Sequence, residues 1–279
     1  MPQPRVALIT CANRVEPDPD ETLLLDAIAA TGVHAEWIAW DGEVKPEGFD
    51  LTCLRTCWNY YRDIAGFRDW IDATAGVSAL WNPREVLHWN LHKRYLEEIE
   101  RAGIATIPTR WIGQGEEPKA DALYAGDIVV KPCISASSFG TRRFSGEESD
   151  DALDFATEFA RGRDVMVQPV MTGFQEPGER SLVWIDGAFT HAVTKRPRYA
   201  GEDEAISQAS ALSLEERAFG ERVLEIAPAE LLYARVDMII EQGEPMLSEL
   251  ELVEPSLFLR EHPAALERFA EAIGRRARR

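Results

Sequence analysis

The stretch Leu231–Leu259, LLYARVDMIIEQGEPMLSELELVEPSLFL, constrains the fold of this chain more than any other. It predicts two strands joined by a tight turn. Leu232 to Ile240 is rich in β-branched and bulky apolar residues, Glu241-Gln242-Gly243-Glu244-Pro245 is turn chemistry, and Met246 to Val253 is the second strand. Side chains alternate between the faces of a strand. Ala234, Val236, Met238 and Ile240 therefore form an apolar face, and Arg235 and Asp237 point the other way. On the second strand Glu249 and Glu251 share a face. Folding about Gly243 sets Asp237 across from Glu249. Like charges directly opposite destabilise a bare sheet. Either solvent bathes an acidic face, or a hard divalent cation such as Mg²⁺ bridges it. A register slip of one residue would remove the opposition.

The remaining bounds come from the whole chain. Its 279 residues suffice for a sizeable core and suggest two domains or three small ones. A formal charge of −18 argues against a nucleic-acid or anionic-membrane binder, which needs a basic surface. No apolar run is long enough to span a bilayer, and the first residues resemble no signal peptide. Cys11, Cys53, Cys57 and Cys133 are too scattered for a disulfide framework. The expectation is reduced thiols in a cytoplasmic protein.

The N-terminal third alternates β and α signals. Arg5–Thr10, His34–Trp40, Phe49–Arg55 and Ala79–Trp81 read as strands, and Asp20 or Thr22 to Ala30 and Phe67–Ala73 as helices. This pattern predicts a small open α/β layer, whose ligands collect at the carboxyl ends of the strands. Arg55 and Asn59 fall at such an end, so Arg55 is a candidate to hold a substrate carboxylate through its planar fork. The competing reading makes Arg55 a surface residue and Trp58, Tyr60 and Tyr61 packing residues. His88–Gly103 reads as one helix carrying Lys93 near its start.

In the middle of the chain Asp127–Pro132 is a buried strand ending in Lys131, and burial of that charge calls for an anion. The loop Cys133–Thr141, CISASSFGT, holds small residues and backbone donors beside Arg142 and Arg143, a composition suited to covering phosphate. Neither a Walker A nor a G-x-G-x-x-G motif occurs. Ser149–Arg161 reads as a helix and Val165–Val170 as a strand. Ser181–Ile185 and Ala188–Val193 form a hairpin about Asp186-Gly187, with Lys195-Arg196-Pro197-Arg198 at its exit. Pro263–Arg278 is a final helix with Leu266, Phe269, Ala270 and Ile273 inward, and its arginine tail suits the negative end of the helix dipole.

These signals, in this order, resemble the ATP-grasp superfamily of ligases. WNLHK at Lys93, VVKP at Lys131, SASSFGT, MVQPV followed by GERS at Glu179, and RVD with ELELVEP carry the likeness. LRTCWNYY, WNPREVLHWNLHKRYL, HAVTK and ELELVEPSL are most similar to the small type that includes the cycloserine-forming O-ureido-serine cyclo-ligase. The lid loop departs from many relatives in having serines for glycines. The metal motif has Glu251 or Glu254 where many have Asn.

The resemblance implies an α/β (α+β) ATP-grasp fold. Residues 1–90 would form the N-terminal open α/β layer on the substrate side, 91–167 a small lid subdomain, and 168–279 a C-terminal antiparallel-sheet domain with the metal and nucleotide site. It implies ATP and Mg²⁺, with Mn²⁺ as the alternative ion, and a small amino-acid-like substrate activated as an acylphosphate. Asp237, Glu249 and Glu251 would bind the metal, with Glu254 as alternate ligand. Lys93 and Lys131 would hold phosphates, Ser137 and Ser138 would cover them, and Arg235, Lys195 and Arg55 would serve the chemistry. Gln168, Val167, Val170 and Met171 would form the adenine hinge, and Glu179 would accept from the ribose. Arg196 and Arg198 are further candidates for phosphate or substrate carboxylate. Homodimers are common in the superfamily. A carboxylate-directed kinase or a non-catalytic ATP-binding regulator on the same scaffold would share this motif set.

Overall fold

Each third of the chain supplies one four-stranded sheet. The computed structural model describes residues 2–14, 16–196 and 205–279. The apolar run β1 (Arg5–Thr10) lies inside a parallel sheet with β2 (His34–Ala39), β3 (Leu51–Thr56) and β4 (Ala79–Trp81), ordered β2-β1-β3-β4. Helices α1 (Glu21–Ala30) and α2 (Ile64–Ala75) make the crossovers, as the alternating signals predict.

The next stretch departs from expectation. In place of one helix over His88–Gly103 there are two, α3 (Arg84–Asn90) and α4 (Tyr95–Arg101). Tertiary bonds win over helical period at the link between them. The Lys93 backbone N–H donates to the Cys133 carbonyl at 3.0 Å, and His92 Nε2 meets Asp164 at 3.2 Å. Lys93 is thus held in a turn, with its backbone tied to the start of the lid loop.

The second sheet contains β5 (Arg110–Ile112), β6 (Ile128–Pro132), β7 (Arg142–Phe144) and β8 (Val165–Pro169), in the antiparallel order β5-β8-β6-β7. Helix α5 (Ser149–Ala160) covers one face. Its small residues Ala152, Ala156 and Ala160 pack on Ile128, Val130, Phe144 and Val167. The opposite face carries Val129 and Lys131 of β6 beside Gln168 and Met166 of β8, and it looks toward the third sheet.

That sheet is antiparallel, ordered β10-β9-β11-β12, from β9 (Glu179–Ile185), β10 (Ala188–Lys195), β11 (Tyr233–Glu241) and β12 (Glu244–Glu251). Between β10 and β11 lies α6 (Leu214–Leu224), a helix that the apolar pattern did not announce. A capping box opens it: Ser213 accepts from the Glu216 N–H at 3.1 Å, and Glu216 accepts from the Ser213 N–H at 2.8 Å.

The β11–β12 hairpin turns at Gln242-Gly243, both with positive φ (54° and 89°), as a tight primed turn requires. The ladder runs Glu241↔Glu244 to Met238↔Leu247 and then shifts, leaving Ser248 as a bulge. A straight ladder would oppose Asp237 to Ser248. The bulge sets Asp237 opposite Glu249 and Arg235 opposite Glu251. The expected pairing is present, but it depends on this extra residue as well as on the turn.

Two asparagines of the N-terminal third clamp this hairpin. Asn82, fully buried, donates to the carbonyls of Tyr233 (2.9 Å) and Leu252 (2.7 Å) and accepts from the Leu232 N–H at 2.7 Å. Asn90 donates to the Leu250 carbonyl (2.8 Å) and accepts from the Leu252 N–H (2.7 Å), in the manner of a neighbouring strand. The last helix, α7 (Pro263–Arg276), packs Phe269 and Ile273 into one core with Val6, Leu8, Leu24 and Tyr233. Arg276, beyond suiting the helix dipole, is buried and pairs with Asp186 (2.7 Å) and Glu230 (3.1 Å). Among the described residues no helix is long and apolar enough to cross a membrane.

Candidate active site

A cavity of ≈ 1260 Å³ opens where the three sheets meet. Its floor is the polar face of β11–β12, its roof is β6, β8 and the loop after β6, and Glu16, Trp58 and Tyr60 of the N-terminal third close one end.

The floor is a network of opposed charges. Arg235 forks onto Asp237, with Nε to Oδ1 at 2.9 Å and Nη2 to Oδ2 at 2.8 Å, and also reaches Glu251 at 2.5 Å. Lys195 Nζ donates to Asp237 at 2.7 Å and pairs with Glu179 at 3.0 Å. Lys93 pairs with Glu249 at 2.8 Å. Burial works against the charge of Asp237, but Arg235 and Lys195 hold its carboxyl well below the usual range. Glu249 is likewise held low against burial by Lys93 and Lys131. Glu251 goes the other way. Burial pushes it up to about 8 against the pull of Arg235, with Glu249 and Asp237 adding to the rise. Glu254 is pushed up to about 7, mainly by burial, with Glu249 adding to it against Lys93.

Fit to a metal can be judged from these donors. Asp237, Glu249 and Glu251 are all-oxygen donors on one face, and a cation beside them would offset the burial that pushes Glu251 up. The set suits a hard divalent cation. As arranged, the carboxylates turn to Arg235, Lys195 and Lys93, and among the described residues no cluster of three or more His, Cys, Asp and Glu stands ready around one point.

The roof differs. Lys131 lines the cavity, and among the described residues no carboxylate lies within ion-pair distance of its ammonium. Burial lowers its pKa, against the more distant pull of Glu249. The loop that follows has Ser137 and Ser138 at φ 48° and 56°, a left-handed conformation uncommon for residues with a side chain. Gly140 also has positive φ (68°), and a Cβ there would lie 2.7 Å from Phe159, so the position needs glycine. The loop is latched to the N-terminal third. Ser137 donates to Glu16 at 3.3 Å, Tyr60 donates to the Ser135 carbonyl at 3.2 Å, and Phe139 stacks on Tyr61 with centroids 4.2 Å apart.

Most of the expected residues meet here: Lys93, Lys131, Ser137, Ser138, Gln168, Val170, Glu179, Lys195, Arg196, Arg235, Asp237, Glu249, Glu251 and Glu254 all line the cavity. Arg55 does not, which corrects its expected role as a substrate-carboxylate clamp. It shares a face of β3 with Cys53, which belongs to the core beneath α7. It is 1% exposed, between the rings of Tyr233 and Phe269, each 5.5 Å away. Its Nη2 donates to the Pro255 carbonyl at 3.1 Å, so it holds the backbone next to Glu254. Val167, expected against adenine, packs in the core under α5, and Met171 does not line the cavity. Arg198 lies outside the described residues. Glu16 went unmarked in the sequence, since a lone acid in a polar loop carries no periodic or motif signal. His191, fully buried and stacked on His262 at 4.8 Å, is structural.

Residues 6–82 match the family model described as the N-terminal domain of the D-cycloserine synthetase DcsG. Over 97% of its length the chain is 30% identical to the cycloserine biosynthesis protein DcsG of Streptomyces lavendulae, covering 98% of that protein. The crystal structure of D-cycloserine synthetase DcsG superposes with a TM-score of 0.89 at 28% identity, covering 98% of this chain and 99% of that one. The fold extends to the D-alanine–D-alanine ligase of Bacillus anthracis complexed with ATP, with a TM-score of 0.70 at 17% identity and coverage of 98% and 97%.

Proposed function

The chain belongs to the ATP-grasp ligases, in the family of DcsG, and from that premise we propose that it activates the carboxylate of a small amino-acid-like substrate with ATP and joins it to a nitrogen nucleophile. A carboxylate oxygen attacks the γ-phosphorus, and ADP leaves. The nitrogen then attacks the acyl carbon, phosphate departs, and the nitrogen loses a proton. The likeness to DcsG supports a nucleophile within the same molecule, which would make the reaction a ring closure.

The observation that carries this reading is Lys131, a cation without a carboxylate partner among the described residues, set over an acidic floor. Such a roof calls for an anion, and the floor calls for a cation to accompany it. In this reading Lys93 and Lys131 hold the phosphates, Glu179 accepts from the ribose, and the base lies against Val129, Pro169 and Val170. Asp237, Glu249 and Glu251 would hold Mg²⁺ or Mn²⁺, which supplies neutralisation of the phosphate oxygens. Arg235 and Lys195 orient the transferring group. The latched loop keeps water from the acylphosphate. The chain then divides into a substrate side (1–90), a lid (91–167) and a nucleotide and metal domain (168–279).

The test is the melting temperature with ATP, Mg²⁺ and both, for the protein and for Asp237→Asn and Lys131→Ala. Saturation at a hundred times the dissociation constant contributes about 2.7 kcal/mol. A Mg²⁺-dependent ATP shift, absent in both variants, is expected, followed by ADP release with one of a panel of amino acids and ureido acids. No shift at millimolar MgATP would overturn the nucleotide site.

A further inference from the structure

Gln168 lies on the cavity-facing side of β8, 4% exposed, next to Val129, Pro169 and Val170. A side-chain amide offers an acceptor on one side and a donor on the other. Its surrounding bonds decide which side meets a ligand.

Here those bonds leave one solution. The Thr109 hydroxyl has a single proton, and it lies 2.8 Å from the Ile107 carbonyl. A carbonyl only accepts, so that proton is committed, and Thr109 has only lone pairs left for Gln168. The Gln168 atom 2.9 Å from it is therefore the donor Nε2. The acceptor Oε1 is left over. Among the described residues it has no hydrogen-bond partner and is not sealed from solvent. Thr109 itself does not line the cavity.

We propose that Thr109 is a positioning residue that sets the base preference of the site, by holding the Gln168 amide with its acceptor toward the edge of the bound base. Adenine presents an exocyclic amine, a donor, where guanine presents the O6 acceptor. A fixed acceptor favours the first and opposes the second, while a freely turning amide would serve both. The inference rests on the nucleotide reading above and adds its selectivity.

The experiment is equilibrium binding of MgATP and MgGTP to the full chain, with Thr109→Val, Thr109→Ser, Gln168→Glu and the Thr109→Val/Gln168→Glu double variant. The protein should prefer ATP by roughly tenfold or more, the effect of one buried acceptor facing another. Thr109→Val should narrow that ratio by about threefold or more, chiefly by a gain for GTP, and Thr109→Ser should restore it. Gln168→Glu, which keeps an acceptor oxygen toward the base whether ionised or protonated onto Thr109, should keep the ATP preference and make it less sensitive to Thr109→Val. An unchanged ratio in Thr109→Val, or equal weakening of both nucleotides, would overturn the proposal while leaving the nucleotide site standing. Failure of the unaltered protein to bind either nucleotide would instead remove the nucleotide reading, and this inference with it.

Discussion

The floor and the roof of the cavity handle buried charge in opposite ways. On the floor each cation already has its acid: Arg235 and Lys195 on Asp237, Lys93 on Glu249. On the roof Lys131 stands without a carboxylate at ion-pair distance among the described residues. The floor is assembled before any ligand arrives, and the same contacts hold the fold together. In the proposed reading an anion completes the roof, so the cost of burying Lys131 is carried for function.

Asp237→Asn should break this comparison most severely. It leaves Lys195 to Glu179 and Arg235 to Glu251, so stability should fall by about 3 kcal/mol in denaturant titration, the low end for breaking a buried pair. Ligation should fall at least a hundredfold alongside it. Lys131→Met removes a charge with no acid to lose. Nucleotide-dependent turnover should drop roughly a hundredfold, while the melting temperature of the unliganded protein holds or rises, because an unaccompanied buried charge is itself costly. Equal loss of stability in both variants would erase the distinction.

The latch is a smaller effect. Tyr61→Ala or Phe139→Ala removes a stack of about 1 kcal/mol and should raise the ADP released per product several-fold. Tyr61→Phe should behave as the unaltered protein does, since the ring makes the contact. The last effect is set by pH. Glu251 (about 8) and Glu254 (about 7) bind their protons more tightly folded than unfolded, chiefly through burial. Stability of the unliganded protein should therefore be greatest near pH 4.5 and fall as pH rises toward 8. Glu254→Gln should flatten the part of that slope below pH 7, and saturating MgATP should offset it.

The floor was far more legible in the sequence than the surroundings of Arg55. Asp237, Glu249 and Glu251 lie on one hairpin, so local alternation and a turn signal suffice to bring them together, and only the Ser248 bulge escaped notice. The break at Leu91–Arg94 could not be read, because its cause is a carbonyl forty residues away at Cys133. Arg55 was misplaced for a similar reason. Its position at the end of β3 is local information, whereas the Tyr233 and Phe269 rings that enclose it come from the other end of the chain. Helix α6 is absent from the sequence reading because its apolar pattern is weak; the Ser213–Glu216 capping box was the signal available for it.

Asn82 and Asn90 bear on how such a protein can be recombined. Their amides serve as the missing neighbour of a strand, so the N-terminal third is spliced into the edge of the third sheet by hydrogen bonds as well as by apolar packing. A chimaera that exchanges the first third for that of another ligase will keep the charged floor intact only if the incoming segment brings both amides. Without them, the Leu250 and Leu252 backbone becomes an open β-edge, a template for self-association. Graft points for altering substrate choice therefore belong in the loops ahead of Asn82, and not at the apparent boundary behind Asn90.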